Sequence, residues 1–467
     1  MKRIAVLLFL LNAFIVKADI RLPAVLSDGM VLQQQSEVKL WGWAGSAEKI
    51  YVTTSWNNRT DSTVSDNNAK WEITVQTPAA GGPHSITLKG GNTVVLKDVL
   101  IGEVWVCSGQ SNMEYNYYDG IKSIKDEFPT AYNKNIRLFH IPRTTAAYPQ
   151  DNCNAQWVVC DSNAIKTFSA VAYYFGKKLN KDLNVPIGLI NSSWGGTPAE
   201  AWTPAAVVDA DDELKNAAAK QGPNKWWPIK PGYAYNAMIA PLTNYSISGA
   251  IWYQGESNTA APSSYSRLFS AMIEAWREQW KKEFPFYYVQ IAPYAYGNKN
   301  VGALIREQQA QTLAVPNTGM VVISDLVDNV KDIHPRNKKD VGTRLANIAL
   351  SETYTIKGLD AFSPVYENME TRGSRAVINF SHAGSGLSIK GKALQEIYIA
   401  GPDKVFYPAQ VKVENNKLIV WSSKVKEPQS VRYSFSNAAM GNLFSKSGLP
   451  VAPFRTDSWE VDTSEVK

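Results

Sequence analysis

Residues 104–114 read Val104-Trp105-Val106-Cys107-Ser108-Gly109-Gln110-Ser111-Asn112-Met113-Glu114. The run of apolar residues from Val104 to Cys107 reads as a short buried strand. Gly109 lets the chain turn sharply just after it. Ser111 then stands on a tight turn past a strand end, where a hydroxyl is presented into a site rather than packed away. Strand, turn and exposed nucleophile in that order belong to an open parallel sheet, which gathers its functional groups at the carboxyl ends of its strands. A polar loop has similar composition, so the stretch has to be read with its surroundings.

The surroundings carry the same pattern. From about residue 99, short apolar strands alternate with helical segments. Ser169–Leu179 has helical spacing and precedes the strand 187–190. The amphipathic stretch Tyr265–Trp280 lies between the strands 250–253 and 286–291. Met320–Ser324 is a further strand, and Lys338–Leu350 a further helix. Such alternation predicts a mostly parallel, helix-covered sheet over 99–354. Residues 19–98 instead alternate apolar and polar in short strands separated by turns such as Asp66-Asn67-Asn68, as in a β-sandwich. The same texture returns over 355–467. The expectation is an α/β protein: a catalytic region at 99–354 flanked by N- and C-terminal β-sandwich regions.

Composition excludes several classes. The chain has 467 residues, 45% hydrophobic and 19% charged, as ordinary folded domains do. Its first 18 residues read as an export leader: basic Lys2-Arg3, an apolar run over 4–16, and Val16-Lys17-Ala18 before the cut. A periplasmic or extracellular location is expected. Loss of Lys2, Arg3 and Lys17 leaves 45 basic against 42 acidic residues, a net charge of +3. With no basic block, neither nucleic acid nor an anionic membrane is an expected partner. The apolar run is too short to cross a bilayer easily, and no later one approaches 18 residues. Cys153 and Cys160 could close a small disulfide loop or be two buried thiols. The four His (His84, His140, His334, His382) lie far apart, so no metal is expected.

A serine nucleophile needs a base. Asp332-Ile333-His334-Pro335 offers one, with Pro335 suited to a first helical turn. Together the motifs make a recognisable set. The chain resembles the SGNH hydrolases and, within them, the sialate O-acetylesterase-like carbohydrate esterases. The resemblance rests on Val104–Glu114, on Ser193-Trp194-Gly195-Gly196-Thr197-Pro198-Ala199-Glu200-Ala201-Trp202, and on Tyr235–Leu242. It continues through Ile251-Trp252-Tyr253-Gln254-Gly255-Glu256-Ser257-Asn258 to Asp332–Lys338.

The resemblance implies a flavodoxin-like sheet with helices on both faces and a cofactor-free acetylesterase acting on an acetylated carbohydrate. It implies Ser111 as nucleophile, His334 as base and Asp332 as the acid that orients it. The oxyanion donors would be the amides of Ser111 and Gly196, with the Gln254 side chain third and Asn258 as its alternative. Asp332 stands two residues before His334 where the superfamily usually has three, so Asp325, Asp328 or a backbone carbonyl could orient the ring instead. Glu256, with no donor when ionised, could position neighbours or bind substrate, and Asn258 could contact substrate. So could Trp194, and Arg306, followed by Glu307 on a probable helix, could form a surface ion pair or grip a sialate carboxylate as a fork. Trp226-Trp227 could stack on sugar or pack in the core, and Trp252 should be core. Sialate 9-O-acetyl esters are the expected substrate. Acetylated plant xylan or xyloglucan is the alternative, and a non-catalytic carbohydrate-binding protein the rival from another class.

Overall fold

The computed structural model describes residues 19–466, and the expected leader lies outside them. Strand Thr93–Gly109, 17 residues long, is the spine of the molecule. Its first half pairs with the N-terminal strands Val31–Gln33 and Gly81–Lys89. Its second half is the centre of the catalytic sheet. The boundary expected at 98/99 therefore falls inside one continuous strand.

Across the catalytic sheet the strands run Thr318–Val321, Phe286–Val289, Gly249–Tyr253, Thr93–Gly109, Ile187–Ser193, Asn133–His140 and Trp157–Cys160. All pairs are parallel except the last. Alternate residues of each strand enter different cores, as the two-residue period requires. Val104, Val106, Ala250 and Trp252 join one cluster with Leu268, Phe269 and Trp276 of helix Tyr265–Trp280. Trp105, Cys107, Ile251 and Tyr253 join another with helices Ala170–Leu183 and Lys338–Ile348. Helices thus cover both faces, and the expected α/β class is what the chain adopts.

The two β regions attach differently. The N-terminal core, including Leu40, Ile50 and Ile86, is continuous with one face of the catalytic sheet. The C-terminal sheets begin at Val365 and close a separate core around Ile378, Ile399, Leu418 and Val431. That region meets helix Val301–Gln311 and the residues just before it through ion pairs, Arg455 with Glu307 at 2.7 Å and Lys299 with Asp462 at 2.9 Å. Cys153 and Cys160 are free thiols, so the small disulfide loop is not formed. No described helix is long and apolar enough to cross a membrane.

Candidate active site

Three strands end level with one another. Gly109 lies opposite Ser193 on one side and Tyr253 on the other. Ser111, Gly196 and Gln254 therefore leave the sheet at one edge, on the two sides of its central strand. Gly109 has φ of +137°, and a Cβ there would collide with the Tyr253 main chain, so this turn requires glycine. Main-chain bonds pin it. The Gln110 N–H donates to the Tyr253 carbonyl, and the Trp194 N–H to the Gly109 carbonyl, both at 3.0 Å.

Ser111 opens the single helical turn Ser111–Glu114 and is 8% exposed. Its Oγ lies 2.9 Å from His334 Nε2. The N–H groups of Ser111 and Gly196 have no acceptor among the described residues. Gly195 packs on the serine: a Cβ there would lie 3.3 Å from Ser111 Cβ. Its N–H donates at 2.7 Å to Glu114, whose carboxylate also pairs with Arg143. Glu114 thus ties the Gly195-Gly196 turn to the serine turn. A hydroxyl against an imidazole, with two free amides beside it, is what acyl transfer needs.

The imidazole is positioned by side chains. The Tyr115 ring stacks on it at 4.4 Å between centroids, and the Tyr115 hydroxyl stands 3.4 Å from Nδ1. Asp332 does not make the expected hydrogen bond, because its Oδ1 is 3.7 Å from Nδ1. That oxygen accepts instead from the His334 backbone N–H at 2.9 Å, while Oδ2 takes Arg336 at 3.0 Å. Asp332 shapes the loop rather than gripping the ring. Asp325, one of the alternatives, is held bidentately by Arg344, at 2.7 Å for both contacts. Burial first, then the charge of Lys338, pulls the His334 pKa down to about 4, with Asp332 opposing. The ring is neutral at neutral pH and able to accept a proton.

Behind these groups lies a buried polar hub. Asn112 donates to Glu256 at 2.6 Å and to the Ile333 carbonyl at 3.1 Å, and accepts from Lys338 at 2.5 Å. It joins the serine turn, the third strand end and the histidine loop. Burial lowers the Lys338 pKa to about 7 against the pull of Glu256, and burial raises the Glu256 carboxyl.

Several expected contacts are corrected here. Gln254 is not a free oxyanion donor: its amide donates to Asn258 at 2.7 Å and to the Thr197 carbonyl at 3.3 Å. Asn258 is not one either, since its amide donates to Glu200 at 2.8 Å. Both brace the segment that follows Gly196. Glu256 and Asn258 are buried and bonded to protein groups, Glu256 to Asn112 and Asn258 to Glu200, so Glu256 positions a neighbour, the first of its two expected roles. Arg306 is 1% exposed, and its guanidinium donates to the Ser436 and Asn437 carbonyls; it holds the C-terminal region and is not a carboxylate fork. The sequence reading gave no role to Glu114, Asn112, Tyr115 or Lys338. Their only local signal was a place within four residues of Ser111 or His334.

Trp194, partly buried, stands beside Gly195. The Trp227 ring covers Gly196, where an added Cβ would strike it, while Trp226 is 78% exposed. Trp252 is buried in the core, as expected.

Comparison with known proteins gives the class. A carbohydrate acetylesterase from Xanthomonas citri superposes with a TM-score of 0.84 at 35% identity, covering 94% of this chain and 100% of that one. Fold and site together define a carbohydrate esterase. Within that class, the chain belongs to the sialic acid-specific acetylesterase family of carbohydrate esterases, whose family model matches residues 101–351. The human sialate O-acetylesterase is 31% identical over 400 residues, spanning 78% of this chain and 76% of that protein. The rat sialate O-acetylesterase is 28% identical over 426 residues.

Proposed function

We propose that Ser111 and His334 together remove O-acetyl groups from sialic acid by way of an acetyl-enzyme. Ser111 Oγ attacks the acetyl carbonyl while His334 Nε2 takes its proton. The Ser111 and Gly196 amides receive the oxyanion. His334 then protonates the leaving sugar hydroxyl, activates water against the acetyl-serine, and acetate leaves. The observation that carries this reading is the 2.9 Å approach of His334 Nε2 to Ser111 Oγ beside two amides with no acceptor among the described residues. For the tautomer with Nε2 free to accept, the Nδ1 proton faces the Tyr115 hydroxyl and, farther off, Asp332. The names of the mammalian relatives support sialate as the sugar.

A second reading, acetylated neutral plant glycans, draws on the charges around the serine. A sialate carboxylate calls for a cation, yet Arg143 and Arg336 are already paired with Glu114 and Asp332. Acetate release from 9-O-acetylated sialosides and from acetylated xylan and xyloglucan, measured in parallel, decides between them. Release from sialosides at the higher kcat/KM is the expected result, and release from the plant glycans alone would replace it. Export of the mature chain from residue 19 belongs to the same proposal, and N-terminal sequencing of secreted protein checks it.

A further inference from the structure

A cleft of about 900 Å³ lies apart from Ser111, which is not among its lining residues. It lies at the seam between the N-terminal β region and the catalytic region. Trp43, Asp66 and Lys70 face it from the first, and Tyr148, Asp151 and Asn236 from the second. Its chemistry is that of a carbohydrate site. Tyr148 is 78% exposed and Trp43 partly exposed, so aromatic faces are open to the apolar C–H face of a sugar ring. Carboxylates and an amide supply in-plane partners for hydroxyls, the mixture of apolar surface and a few polar groups that defines small-ligand clefts. Trp71, which also lines the cleft, is 3% exposed and its indole N–H has no acceptor among the described residues. Three acids, Asp66, Glu72 and Asp151, line the cleft; Lys70 pairs with Asp151 at 2.8 Å across the seam, and Lys39 pairs with Glu72 at 3.4 Å. Asp66 is left as one uncompensated negative charge, which disfavours an anionic sugar and admits a neutral one.

The cleft is also within reach of the serine. Arg143 touches Glu114, which holds the Gly195 amide, and Tyr148 follows Arg143 by five residues. Five extended residues span at most about 18 Å. A second segment leads the same way, from Trp227 over Gly196 to Asn236 on the cleft wall. We propose that this cleft is a second carbohydrate site, holding a neutral stretch of the glycan whose acetylated sugar lies at Ser111. The inference rests on the carbohydrate-esterase class and does not depend on which sugar carries the acetyl group.

The test uses the full-length enzyme and two cleft variants, Tyr148→Ala and Asp151→Ala, both at exposed positions. Binding of xylohexaose, cellohexaose and lacto-N-neotetraose is measured by calorimetry, with 3′-sialyllactose as the charged probe. Turnover of 4-nitrophenyl acetate reports the serine separately, so a failed cleft and a failed esterase reading give different results. At least one neutral oligosaccharide should bind the wild type, and both variants should weaken it about fivefold or more, with 4-nitrophenyl acetate turnover unchanged. Three outcomes overturn the proposal: no neutral probe binds, binding is equal in wild type and variants, or only 3′-sialyllactose binds.

Discussion

The serine side of the site and the histidine side are held in place by different physics. Ser111 is fixed mainly by main chain, and Gly196 by main chain together with the Glu114 carboxylate on the Gly195 N–H. Three strand ends in register, a glycine at φ +137° and two backbone bonds leave that edge no freedom short of disturbing the sheet. His334 sits on a loop held by side chains: the Tyr115 ring, the Asn112 amide on the Ile333 carbonyl, and Asp332 folded onto the His334 backbone. The difference teaches where point substitutions can act. On the serine side, apart from Glu114, they remove the hydroxyl or disturb the sheet, whereas on the histidine side they can loosen the proposed base while the protein stays folded.

The largest effect tests both sides at once. Ser111→Ala and His334→Ala should each cut kcat on 4-nitrophenyl acetate by ~10⁴–10⁶, with circular dichroism unchanged, because the two act as one unit. A residual rate near wild type in either variant removes that residue from the chemistry.

Next is the hub. Asn112→Ala removes the link between the two sides and leaves Lys338 and Glu256 buried with one partner fewer. We expect kcat to fall about 10²-fold, the scale of a 1 Å misplacement, and stability to fall by roughly 3 kcal/mol. Thermal melting and steady-state kinetics read the two separately. A variant that melts lower but turns over normally would break the comparison, since the histidine loop would then not depend on the hub.

The pH profile sharpens it. A base must be neutral to accept a proton, and the His334 pKa is depressed to about 4, below the ordinary value. The kcat/KM of the wild type should therefore stay flat from neutral pH downward and fall only as pH approaches 4. Lys338→Met removes a cation that disfavours the imidazolium, so the acid limb should move to higher pH. A wild-type midpoint near 6.5 would show that the ring is less desolvated than its packing implies.

The smallest effect belongs to Asp332. Its oxygen is 3.7 Å from Nδ1, and an Asn could still accept the His334 backbone N–H. Asp332→Asn should cost about tenfold or less, far below the ~10⁴ that loss of a tautomer-fixing Asp costs in a strict triad. A loss equal to that of His334→Ala would mean the carboxylate closes onto the ring during turnover.

Part of this was legible in residues 104–114 and their echoes downstream. Apolar runs, a glycine and a serine encode strand, turn and the placement of the proposed nucleophile locally, since each depends on backbone preferences of adjacent residues. The alternation of strands and helices fixed the layered sheet in the same way, and His334 stood out among four histidines. The boundary at 98/99 was less legible because one strand serves two sheets, and a change of texture along the chain does not require a break in hydrogen bonding.

By itself, then, the sequence determined the class of fold, and it singled out Ser111 and His334 as the pair proposed to act at one end of the sheet. Only the tertiary structure decided which polar neighbours face the reacting atoms. Gln254, Asn258 and Arg306 carry the right groups in the right motifs, yet their donors meet partners inside the protein. Glu114, Asn112 and Tyr115 received no role from the motifs but hold the site together. The reason is physical. A buried polar group goes to whatever partner satisfies it. Asn112 finds Glu256 144 residues along the chain, and Lys338 226 residues along, a pairing no local pattern records.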